Sequence, residues 1–116
     1  MGKNILRDKS YDFALKIIKL SQALVSEKKE YVLSKKLFRS ATAIGALIRE
    51  AEFAQSKADF IHKRSVSLKE ANETLYWLEL LKDSDLIPVP EFKTLHDHCK
   101  ELVAMLVSSI KTSKGK

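Results

Sequence analysis

Along four stretches of the chain, apolar residues return every three or four positions, and no stretch keeps the two-residue alternation of a half-buried strand. Phe13, Ile17, Leu20 and Leu24 predict a helix over residues 10–28. Leu37, Ala41, Ile44, Ile48 and Ala51 have heptad spacing and predict a second helix over 31–54. A third is predicted over 57–83, with Ile61, Leu68, Ala71, Leu75 and Leu78 as its seam. Ser56 and Asp59 stand before it at capping-box spacing. The fourth, over 91–111, follows Pro88 and Pro90, since proline suits a first helical turn where no intrahelical N–H bond is lost. Its seam is Phe92, Leu95, Cys99, Leu102, Leu106 and Ile110, and residues 112–116 remain as a basic tail.

The links between these segments are short, which makes neighbouring helices antiparallel. The expected fold is all-α: one domain over 1–116, an up-down-up-down four-helix bundle. Composition agrees. The 116 residues suffice for one domain and not two, and 3 Gly and 2 Pro are too few turn formers for an architecture of many short strands. There is no signal peptide and no apolar run of membrane-spanning length, so a cytoplasmic protein without membrane association is expected.

Two helices carry more apolar surface than one core can hide. From Ser40 to Ile48 there is no charged residue. At about 100° per residue, Thr42, Ala46 and Phe53 fall opposite the Ile44 seam. On the third helix, Val66, Trp77, Leu80 and Leu81 fall away from Leu68 and Leu75. Apolar patches of this kind mark contact surfaces, and tryptophan is a frequent anchor in them. These seven residues are therefore the expected self-association interface.

Charge sharpens the picture. The net charge is +6, and five of the six excess charges lie within residues 1–9 and 111–116. The expected topology brings both chain ends and the link between the second and third helices to one end of the particle. Lys3, Arg7, Lys9, Lys57, Lys63, Arg64, Lys111 and Lys114 would form a basic rim there, able to neutralise nucleic-acid phosphates. The opposite end sets Lys28, Lys29, Lys82 and Lys93 against five carboxylates. The aromatics Phe38, Phe53, Phe60, Tyr76 and Trp77 could stack bases, but packing explains them better.

Catalytic chemistry finds little footing. Glu50, Glu70, Glu73 and Glu101 could suggest a di-iron bundle, but no Glu-x-x-His occurs, so no metal and no cofactor is expected. Glu70 and Glu73 read instead as partners of Lys69 or Arg39. His96 and His98 are two apart and point to different sides of a helix, and Cys99 lies in the apolar seam.

The segment from Leu33 to Leu81 closely resembles the proteins encoded by intervening sequences within bacterial 23S ribosomal RNA genes. The resemblance is carried by Arg39-Ser40, Ile44-Gly45-Ala46, Glu50-Ala51, Gln55-Ser56-Lys57, Asp59-Phe60 and Lys69-Glu70-Ala71. The first helix and its link, Ser10 to Leu37, resemble that family too. Leu47 stands where the family usually has Asn, and Lys36 where it often has Gln. The resemblance implies a four-helix bundle assembled into a ring, a homopentamer, without enzymatic activity. It extends to the accessory protein of diversity-generating retroelements, which works with a reverse transcriptase. The expected function is a non-enzymatic oligomeric module that binds RNA or DNA through its basic rim with low sequence specificity. The alternative is a scaffold that docks a nucleic-acid-processing enzyme.

Overall fold

The computed structural model describes residues 4–115. Among them are four helices and no strand: α1 (Ile5–Lys28), α2 (Val32–Ala51), α3 (Lys57–Asp83) and α4 (Val89–Lys114). They pack as a bundle in which consecutive helices touch and α1 also lies on α4.

The helix ends show where local chemistry moved the expected boundaries. α1 starts five residues before the predicted Ser10, because the Asn4 side chain accepts the Arg7 N–H at 3.0 Å and Leu6 is buried. It ends at Lys28, and Lys29 beyond it turns the chain with a left-handed φ of 55°. The Glu30 carboxylate accepts the Ser34 N–H at 3.0 Å and so helps to start α2. α2 stops at Ala51, three residues short of the prediction. Ser56 then caps α3 by accepting the Asp59 N–H at 3.0 Å, and the Asp59 carboxylate accepts the Gln55 N–H at 3.1 Å. That bond, with Lys63 adding to it, holds the Asp59 carboxyl below its ordinary range. α4 runs through Lys114, so most of the expected basic tail is helical.

The predicted seams of α1, α2 and α4 are buried, except that Phe92 is only partly so. The α3 seam differs. Its buried face is Arg64, Ser67, Glu70, Ala71, Thr74, Leu78 and Leu81, whereas Ile61, Leu68 and Leu75 are only half-buried. Residues 64, 67, 71, 74, 78 and 81 step by three and four, so helical geometry selects this face even though half of it is polar. Leu81, expected at an interface, is 0% exposed and belongs to the core.

Buried hydroxyls are tolerated because each finds a partner. Ser67 donates to the Ile44 carbonyl at 2.9 Å, and Ser40 and Thr74 bond each other at 2.8 Å. Between α1 and α2, Ser34 donates to the Ser21 carbonyl at 3.1 Å, and Ser21 donates back to the Ser34 carbonyl at 3.4 Å. A Cβ at Gly45 would come within 3.2 Å of Ser10 Oγ, so the small residue there lets α1 and α2 close. The Arg39 guanidinium spans Glu70 at 3.2 Å and Glu73 at 3.1 Å, the pairing the sequence suggested.

Two measurements check this packing. Ser40→Ala and Thr74→Val should each lower unfolding stability by about 1 kcal/mol, and the double variant by less than the sum. Strict additivity in urea unfolding would show that the hydroxyls are not coupled. Burial pushes the Cys99 thiol up to about 12. At pH 8 a thiol reagent should therefore label the native protein far more slowly than the unfolded chain. Equal labelling rates would place Cys99 outside the core.

Candidate functional site

The two α4 histidines diverge as their spacing requires. His96 Nε2 meets Glu79 of α3 at 3.1 Å. His98 packs edge-on to Phe13 of α1, with ring centroids 5.2 Å apart. Burial, with Lys16 adding to it, lowers the His98 pKa. Among the described residues no group of His, Cys, Asp and Glu is arranged to hold a metal ion. Among the described residues no helix is long and apolar enough to cross a membrane.

At one end of the bundle the start of α1 meets the end of α2, and the start of α3 meets the end of α4. Glu52 makes the first junction, accepting from Asn4 at 2.7 Å and pairing with Arg7 at 3.9 Å. Arg64 makes the second, donating from Nη1 to Ser109 Oγ at 2.7 Å. This end carries most of the expected rim, and the structure divides its members. Lys57, Lys111 and Lys114 are exposed. Arg7, Lys9 and Lys63 each face a carboxylate: Lys9 meets Glu101 at 3.2 Å, and Lys63 meets Asp59 at 3.5 Å. Arg64 is not a surface cation. Its place in the α3 seam buries it, its Cζ lies 4.7 Å from the Phe60 ring centroid, and burial lowers its pKa. Lys3 lies outside the described residues.

The proposed interface residues divide as well. Ala46 is exposed and Thr42 half-buried; together with Tyr11, Ala14, Gly45 and Arg49 they line a cleft of 300 Å³ between α1 and α2. The same face continues into a groove of 420 Å³ whose apolar lining comes from Ile18, Val25, Tyr31 and Phe38. Sequence reasoning missed most of this surface. The signal was a second stripe on α1, where Tyr11, Leu15, Ile18 and Val25 recur at helical spacing behind the Phe13 seam. Val66, Trp77 and Leu80 are half-buried on α3. Trp77 Nε1 donates to Glu73 at 3.1 Å, its ring meets Tyr76 edge-on, and Lys36 of α2 lies 5.6 Å from its centroid. Phe53 is 86% exposed, but it sits in the turn beyond Ala51 and so does not continue the α2 face as predicted.

α2 is therefore flanked by two different apolar surfaces. One is the α1–α2 groove, and the other surrounds Trp77 on the α3 side.

The arrangement has known counterparts. A protein of unknown function from the S23 ribosomal protein family of Bacteroides thetaiotaomicron has a crystal structure that matches with a TM-score of 0.91 and 50% identity, covering 91% of this chain and 98% of that one. No curated protein matches. The family model for the 23S rRNA-intervening sequence protein matches residues 3–108. That match spans all four helices, and the chain belongs to the 23S rRNA-intervening sequence protein family.

Proposed function

We propose that this protein is a non-enzymatic assembly module: an antiparallel bundle whose copies close into a ring, and whose ring binds RNA or other nucleic acid with low sequence specificity. The observation that carries this reading is the pair of unlike apolar surfaces on either side of α2. A two-fold dimer uses one patch against itself, whereas two unlike patches favour head-to-tail contacts, which close into a ring when the rotation permits. Pairings such as Ser21 with Ser34, Ser40 with Thr74, and Cys99 with the Ala71 carbonyl support the antiparallel course. Five copies is the number that the family resemblance implies.

In such a ring, Lys57, Lys111 and Lys114 would repeat around one rim, and each subunit's weak phosphate contact would be multiplied. Arg7, Lys9 and Lys63 face carboxylates, which lowers what each of these three can add. Those same ion pairs, together with the apolar α1–α2 groove, favour the second reading: a scaffold that docks a nucleic-acid-processing enzyme.

Phe38→Glu and Trp77→Glu each place a charge on one of the two surfaces, Phe38 being exposed and Trp77 packing against the core with one side only. Each should reduce the associated particle toward single copies in light scattering while the helical circular dichroism persists. Variants as associated as the parent would reject the assignment. Retention of labelled RNA should fall steeply between roughly 50 and 200 mM salt, and it should be lost in the Lys57→Glu, Lys111→Glu, Lys114→Glu triple variant. Lys9→Ala should change it little. Retention that ignores both salt and the triple variant would exclude the rim.

A further inference from the structure

Arg64 is a buried cation with a donor left unused. It is 8% exposed, and Nη1 is committed to Ser109. Nε is buried and has no hydrogen-bond partner. Nη2 lies on the same edge of the guanidinium as Nε. That edge is the one with which arginine grips an oxyanion through two parallel bonds. An unpaired charged donor in the interior is costly, and a native fold that keeps one calls for an explanation such as a bound ion or water.

The surroundings suit an anion. Arg64 lines a groove of 510 Å³ together with Asn4, Leu6, Met105, Ser108 and Ser109. Ser109 Oγ accepts from Arg64 and keeps its own proton to donate, and the Ser108 hydroxyl is a second donor. Glu101 lines the same groove, and Lys9 holds its carboxylate at 3.2 Å. The Asn4 amide is already bonded to Glu52. Two guanidinium donors and two hydroxyls exceed what the two oxygens of a carboxylate need, and they match a group with three or four oxygens. Leu6, Ala104 and Met105 give the rest of the groove an apolar wall. Methionine is the side chain best able to shift and admit an oxygen to a closely packed donor.

We propose that this groove is a phosphate-binding site in which the Nε–Nη2 edge of Arg64 grips the phosphate and the hydroxyls of Ser108 and Ser109 complete its coordination. It is distinct from the exposed rim, which attracts phosphates by charge alone, and it requires neither a ring nor a polymer.

The test is a titration of the full-length protein followed by the Arg64 Nε–H resonance, assigned by its disappearance in Arg64→Lys. Inorganic phosphate, a nucleoside 5′-monophosphate and a 5′-phosphorylated oligoribonucleotide are compared. A saturable shift of Arg64 Nε–H is expected, with Arg39 and Arg49 unmoved, and the tightest of the three probes identifies the source of the phosphate. Arg64→Lys keeps the charge and removes the fork, so it should weaken affinity roughly tenfold or more, read from serine amide shifts. Ser109→Ala should weaken it less. No saturable shift of Arg64 with any probe, or a shift shared equally by all arginines, would overturn the site. RNA retention on the rim could persist in that case, so failure here and failure of the rim are separately visible.

Discussion

The seams on either side of α2 set small hydroxyl residues among their aliphatic ones, and much of the structure follows from that. Ser10 and Ser21 on one side meet Gly45 and Ser34 of α2, and Ser67 and Thr74 on the other meet the Ile44 carbonyl and Ser40. Each hydroxyl contributes only on the order of 1 kcal/mol when paired, but stranding one would cost its full desolvation. The close approach therefore depends on a register that satisfies all of them at once. Small seams also leave large apolar side chains elsewhere. Tyr11, Leu15, Tyr31 and Phe38 stand outward on the α1–α2 face, and Trp77 is only half-covered on α3. Hydroxyls within an aliphatic core and apolar side chains on the exterior are two consequences of the same choice of residues, and together they are the physical case for assembly.

Charge is arranged less simply than its sum suggests. Among the described residues basic side chains gather at the end where Glu52 ties Asn4 and Arg7, but carboxylates there face Arg7, Lys9 and Lys63. Exposed pairs of this kind are individually weak and screened by salt, so they shape the local field more than they stabilise the fold. Arg64 differs in kind. Packed on Phe60 and fixed by Ser109, it has lost the freedom of a surface cation and kept an unused Nε donor. The exposed lysines and this buried fork would treat phosphate differently, the first as a diffuse charge and the second as a shape.

The helices were largely legible because α1, α2 and α4 place large aliphatic residues at heptad positions, where pattern and burial coincide. α3 was misread because the reading followed hydrophobicity and not geometry. Leu68 and Leu75 drew the seam to the wrong side, although Arg64, Ser67, Ala71, Thr74, Leu78 and Leu81 keep the better heptad. That one error accounts for both Leu81 at an interface and Arg64 on a rim. Phe53 was displaced for a different reason: its assignment assumed a helix continuing past Ala51, whereas the turn before Ser56 begins earlier. The pairs of Arg7 with Glu52 and of Lys9 with Glu101 join residues far apart in the chain, so no local pattern announced them.

The central claim is that the outward apolar faces are shared between copies. The most direct measurement is the native mass of the unmodified protein after nuclease treatment, by light scattering across a range of concentrations. The account predicts a discrete particle of several 13.2 kDa chains that survives removal of nucleic acid. A well-folded species of a single chain at every concentration would contradict it.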